Sequence, residues 1–125
     1  MNVSKSISNA LPAAVAGACL LLAPALSGAA DPHARAARNY DTYCVQCHGM
    51  ERNGQGVNSP SMSVQPRDHT DAKGLADIPD IELFDAIKEG GLAVNKSVLM
   101  PVWGNVLSEE EIKEMVAYLR HVCEC

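Results

Sequence analysis

The pentapeptide CVQCH, residues 44 to 48 of a 125-residue chain, sets two thiols three positions apart and an imidazole directly after the second. Three chemistries use such a cluster. A redox dithiol is expected inside a βαβ unit, and half of a zinc site needs two more ligands elsewhere. Covalent attachment of a haem needs both thiols on one side of a helix end, with the imidazole able to reach the iron from that side. The surroundings of the pentapeptide distinguish these readings.

Upstream, Lys5 precedes an apolar stretch without charge, ALPAAVAGACLLLAPAL at residues 10 to 26, and small residues follow in SGAAD. That is the pattern of a secretory leader cleaved after Ala30, with Ala29 as the neighbouring alternative. The run is shorter than the ~20 residues of a membrane span, and Pro12 and Pro24 bracket it. Cys19 after AGA resembles a lipid acceptor, but further apolar residues follow it. The expected organisation is a leader over 1–30 and one domain over 31–125, in an exported, oxidising compartment.

Beyond residue 30 lie all 15 acids and 9 of the 10 bases, a net charge of −6. This disfavours nucleic acid and anionic membranes as partners. The domain has few aromatics, Tyr40, Tyr43, Phe84, Trp103 and Tyr118. A chain this small needs a staple, a metal or a large apolar cofactor to hold a core.

Residues 33–46 (HARAARNYDTYCVQ) have helical spacing of Ala36, Ala37, Tyr40, Tyr43 and Cys44. The stretch 49–79 is rich in glycine and proline, a length of irregular chain expected only where it wraps something. Residues 80–89 (DIELFDAIKE) predict a second helix with Ile81, Phe84 and Ile87 inward, stopped by Gly90-Gly91. The loop LAVNKSVLMPVWGNV follows. Ser108 and Glu111 then form a capping box, Leu107 and Ile112 a hydrophobic staple, and Ile112, Met115, Val116 and Leu119 a buried stripe. No run reads as a strand, so the expected fold is all-α, with three main helices and long loops. A thioredoxin-like dithiol lacks its βαβ frame.

If CVQCH attaches a haem, His48 is one axial ligand and the sixth position is open. Met50 is too near His48 in sequence to reach the opposite face, and Met115 belongs to a packing stripe. Met62 and His69 lie in the wrapping loop. Met100 stands in the apolar loop SVLMPVWG with Pro101 stiffening the backbone after it. Ligation and plain core packing weigh equally for it on spacing alone.

The chain from 33 to 122 resembles the class I c-type cytochromes, the small single-haem bacterial ones with an LMPxWG loop in particular. The resemblance rests on CVQCH near the end of an N-terminal helix, IKEGG, LMPVWG and a closing helix. It implies one haem c with its iron, attached through thioethers at Cys44 and Cys47, with His48 as proximal and Met100 as distal ligand. It implies a carbonyl partner for His48, for which Pro60 in GQGVNSP is the nearest equivalent. Arg67 and the Trp103 indole are candidates for the haem propionates, with a solvated Arg and a core Trp as the plain alternatives.

The implied function is a periplasmic, monomeric, soluble electron carrier in a respiratory-type chain, docking transiently on redox partner proteins, and not an enzyme. The alternatives are a haem-based sensor or catalyst with a displaceable sixth ligand, and a zinc site of Cys44, Cys47, Cys123 and Cys125. His33, His69 and His121 read as surface residues. In the terminal HVCEC, Cys123 falls on the buried stripe and Cys125 does not. A disulfide between them, free thiols, a weak metal site and attachment to a partner all stay open; the disulfide suits the oxidising compartment, and on a regular helix it requires the backbone to fray.

Overall fold

The helical runs of the sequence fold as helices, and the long glycine- and proline-rich stretches become the loops between them. A computed structural model describes Met1 and residues 30–125. Residues 2–29, with most of the expected leader and Cys19, lie outside the described residues. The elements are α1 (Ala34–Tyr43), α2 (Val45–His48), α3 (Ala72–Ala76), α4 (Asp80–Glu89) and α5 (Glu109–Cys123), with 3-10 turns at Ser59–Ser61 and Gly91–Val94. No strand forms among the described residues, and the fold is all-α.

Helix α5 follows its local instructions. Ser108 accepts from the Glu111 N–H while the Glu111 carboxylate accepts from the Ser108 N–H, closing the capping box. Three glutamates occupy the first turn, and Arg120 and His121 the last, as the helix dipole favours. Leu107 and Ile112 are both buried in the core. Against α5 pack α1, through Ala36 and Tyr40, and α4, through Leu83 and Ile87. These three helices are the frame, and α3 adds the fully buried Leu75.

The structure corrects two details of the sequence reading. The first helix does not run unbroken to residue 46. It ends at Tyr43, and the chain restarts as α2, whose N–H groups at Cys47 and His48 both bond back to the Cys44 carbonyl at 3.2 and 2.9 Å. On α4, Ile81 is 65% exposed and Leu83 takes its place in the core. The inward face follows Leu83 and Ile87, one turn apart, because α4 is rotated to meet α5 and the cavity below it. Phe84 is half-buried beside Ile81 in a shallow groove against α5.

Two glycine positions fix the loops. A Cβ on Gly56 would come within 2.4 Å of the Gln46 carbonyl, so the loop after CVQCH presses directly on the α2 backbone. There the N–H groups of Gly54, Gly56 and Asn58 satisfy the His48, Cys47 and Gln46 carbonyls. Gly90, at φ 83°, ends α4 in a conformation that suits glycine, and its Cβ would meet the Met100 carbonyl at 2.9 Å. The Gly91 N–H donates to that same carbonyl at 3.2 Å. The Gly90-Gly91 pair therefore sets the path of the Met100 loop.

Candidate cofactor site

Between the three-helix frame and the two loops lies a cavity of about 850 Å³. That is within the range of small-molecule and cofactor pockets. The end of α1 and α2 contribute Tyr43, Cys44, Cys47 and His48 to its wall. The loop after α4 contributes Met100 and Trp103, and the frame contributes Leu83, Ile87, Met115 and Leu119. Among the sequence-predicted residues, Cys44, Cys47, His48, Arg67, Met100 and Trp103 are thus gathered around one space. Pro60 is not. It is exposed in the 3-10 turn and does not line the cavity.

The imidazole of His48 is held by a main-chain carbonyl. Its Nδ1–H donates to the Arg67 carbonyl at 3.1 Å, and a neutral ring with its proton there carries its lone pair on Nε2. Burial, which favours the neutral form, pushes the His48 imidazole below its ordinary value, while the hydrogen bond to the Arg67 carbonyl acts in the opposite direction. The acceptor that orients His48 is therefore at Arg67, seven residues beyond the expected Pro60. The insertion in GQGVNSP carries Pro60 away into its own turn, and the chain returns to His48 only at 66–69.

His69 is a second correction. It is 8% exposed, not a surface residue. Its ring stacks on His48 with centroids 4.3 Å apart and planes 16° apart, and its Nδ1 is hydrogen-bonded to the Tyr40 hydroxyl at 3.0 Å. Burial, with His48 and Arg67 adding to it, pushes this imidazole down to about 3, so it is neutral throughout the physiological range. Because it is stacked side by side with His48, it is not placed to face that ring across a cofactor. Behind it, Arg52, at φ 61°, bonds the Tyr118 hydroxyl and Asp41, lies over the Tyr40 ring, and accepts from the His69 N–H. This scaffold was not visible in the sequence. Its one clue is that His69 follows Arg67 by two residues.

The remaining sixth-ligand candidates divide by position. Met50 is 62% exposed and outside the cavity, while Met62 and Met115 line it. Met115 is fully buried in the α5 core stripe. Met100 is half-buried, with its backbone pinned by Gly91 and Ser97. Trp103 donates its backbone N–H to the Ile87 carbonyl at 3.1 Å and packs its ring against Tyr43, centroids 5.3 Å apart. The Arg67 side chain is exposed and donates to the Gly74 carbonyl at 3.3 Å. His121 is exposed and His33 half-buried, and their rings stack on each other away from the cavity.

The two thiols of CVQCH are free of each other. Burial pushes the Cys44 thiol up to about 12, and the neighbouring Cys47 and Asp41 add to the shift. A thiol so far from ionisation is a poor redox nucleophile. The four-cysteine zinc arrangement fails because Cys123 and Cys125 are bonded to one another and neither lines the cavity.

A family model described as cytochrome C oxidase, cbb3-type, subunit III matches residues 31–119. The chain belongs to that family. It is a c-type cytochrome domain, a haem protein of electron transport, and such a domain holds its haem covalently. No curated protein matches the chain. The cavity fits the group: an apolar chamber of about 850 Å³ with two unbonded thiols and an oriented imidazole in its wall. The cytochrome family also accounts for the length of loop that encloses the chamber.

Proposed function

We propose that this c-type cytochrome is an exported, soluble, single-haem electron carrier that moves one electron at a time between redox proteins. One observation carries the reading: Cys44, Cys47, His48 and Met100, scattered over 57 positions of sequence, line the same apolar cavity. Cys44 and Cys47 would hold haem c through two thioethers, His48 would ligate the iron through Nε2, and Met100 would be the second protein ligand. The bound group supplies a reversible one-electron iron couple.

The chain's own residues do the rest. The Arg67 carbonyl and the stacked His69 hold the plane of His48. Gly90 and Gly91 hold the backbone of Met100, and the apolar wall would keep water from the bound group. With His48 and Met100 both holding the group, no position on it would be left for a substrate, which would favour transfer over catalysis. The sequence contains a single CxxCH, which supports one haem. The leader-like pattern of residues 5–30 supports export to the periplasm, where thioether attachment would take place. Among the described residues no helix is long and apolar enough to cross a membrane. A monomer with transient docking on its donor and acceptor suits such a carrier.

The test is an optical spectrum of the exported protein, oxidised and reduced, with Met100→Ala beside it. A c-type spectrum whose long-wavelength sulfur-to-iron band is present, and is lost in Met100→Ala, is the expected result. Haem bands without that band would assign the sixth position elsewhere and favour the sensor or catalyst. A protein without covalent haem would overturn the reading altogether.

A further inference from the structure

The Cys123–Cys125 bridge joins sulfurs two residues apart, at the end of α5 and away from the cofactor cavity. The turn that permits it is specific. Past the helix the Glu124 N–H bonds the His121 carbonyl, and the Cys125 N–H bonds the Arg120 carbonyl at 3.2 Å. This is the Schellman pattern, and it doubles the chain back so that both sulfurs meet. The residue in its left-handed position is ordinarily glycine. Here it is Glu124, at φ 54° and ψ 40°, where a side chain is disfavoured.

The two sulfurs are unequal. Cys123 is 3% exposed, while Cys125 is exposed. The Arg120 guanidinium stands 3.6 Å from Cys125 Sγ, fixed there by the Asp80 carboxylate and the Leu75 and Ile78 carbonyls. A cation beside a sulfur favours its thiolate, and Asp80 shares but does not remove that charge. The small ring holds Glu124 in its disfavoured conformation, and opening the ring lets it relax. Strained and exposed disulfides are the readily reduced ones.

We propose that Cys123–Cys125 is a thiol–disulfide exchange site whose substrate is a protein or small-molecule dithiol. A thiolate of the dithiol attacks Cys125 Sγ, the accessible sulfur. The Cys123–Cys125 bond breaks, a mixed disulfide forms on Cys125, and Cys123 leaves as a thiolate that takes up a proton. The second thiol of the substrate, deprotonated, then attacks its own sulfur in the mixed disulfide. Cys125 leaves as a thiolate beside Arg120, and the substrate departs as a disulfide. Two electrons pass to the bridge and the dithiol is oxidised. The reverse sequence makes Cys125 the nucleophile and Cys123 the resolving thiol. This two-electron chemistry is independent of the haem reading, since it uses neither Cys44 nor Cys47.

The experiment equilibrates the purified, haem-loaded protein with graded mixtures of oxidised and reduced dithiothreitol, followed by acid quench and alkylation. Trypsin cuts after Arg120, and the mass of the 121–125 peptide reports the dithiol fraction. Wild type is expected to titrate between disulfide and dithiol, and Glu124→Gly to require a ratio at least about fivefold more reducing, because glycine removes the left-handed penalty. A wild-type bridge that stays oxidised throughout, or a Glu124→Gly variant that titrates with wild type, overturns the proposal. A second arm uses oxidised glutathione on single-cysteine variants. Cys123→Ser should form the glutathione adduct at Cys125 at least tenfold faster than Cys125→Ser forms it at Cys123, and equal rates overturn the assigned roles. Far-ultraviolet circular dichroism of each variant reports that it has folded.

Discussion

The molecule carries two cysteine pairs, and their backbones put them to opposite uses. Cys44 and Cys47, three residues apart at a helix join, turn both sulfurs toward the cavity and leave them unbonded. Cys123 and Cys125, two residues apart across a left-handed glutamate, turn toward each other and bond. A right-handed turn presents two thiols to a third body, whereas a left-handed residue closes them into a ring. Surroundings reinforce the division. Burial keeps the Cys44 thiol protonated, and a guanidinium sits beside Cys125. Spacing alone would rank both pairs as thiol motifs, and backbone handedness separates them.

The largest expected effect tests the first half of that contrast. In Cys44→Ala/Cys47→Ala, haem that survives a denaturing gel should disappear entirely, while Cys123→Ser/Cys125→Ser should keep its full haem stain. A stained Cys44→Ala/Cys47→Ala protein would break the comparison, since both pairs would then be dispensable for attachment. Next in size is His69→Ala. It removes a buried ring stacked on His48 and leaves the Tyr40 hydroxyl without its partner. The expected cost is about 2–3 kcal/mol in thermal or denaturant unfolding of the haem-loaded protein. The covalent haem stain should remain, because His69 supports the wall behind CVQCH rather than the attachment itself.

Why the sequence disclosed some of this and hid the rest follows from the range of the interactions involved. Motifs whose partners lie within four residues were readable: CVQCH, the Ser108–Glu111 box, and the Gly90-Gly91 stop. Features set by tertiary packing were not. Whether Ile81 or Leu83 faces inward depends on how α4 is rotated against α5, and both residues are equally apolar. The acceptor for His48 is a main-chain carbonyl, which any residue offers, so Arg67 could not be told from Pro60 by identity. Burial of His69 depends on Tyr40, 29 positions away. A glutamate in the left-handed region at 124 has no sequence signature, so a disulfide stands among the readings of HVCEC while its turn does not. The unwinding expected there is instead an ordered Schellman cap.

The second pair should matter less to stability than the first. Its ring spans so few residues that loop-closure entropy contributes only about 1.5 kcal/mol, and release of the left-handed Glu124 offsets part of that. Cys123→Ser/Cys125→Ser should therefore lower the denaturant midpoint slightly, with an unchanged slope. A loss as large as that of His69→Ala would show that the bridge is a structural staple of α5 and sharpen the contrast in the other direction.

The smallest effect separates the bridge from the helix that carries it. Ser108→Ala removes the cap at the far end of α5 and should cost ~1 kcal/mol. The cost should depend on pH. Hydrogen bonds from the Ser108 N–H, then from its hydroxyl, then from Asn39, hold the Glu111 carboxyl below its ordinary value. A carboxylate lowered in the folded state contributes fully above its ordinary value near 4.5, and the contribution fades as pH falls through the folded value. The gap in stability between wild type and Ser108→Ala should accordingly narrow below that pH, as urea titrations at neutral and acid pH would show. Reduction of Cys123–Cys125 should be the same in both proteins, because the Schellman turn closes on Arg120 and His121 rather than on the start of the helix. If Ser108→Ala instead makes the bridge easier to reduce, the disulfide is reporting the fraying of α5 as a whole. The difference between the two cysteine pairs would then lie in helix stability and not in the handedness of one residue.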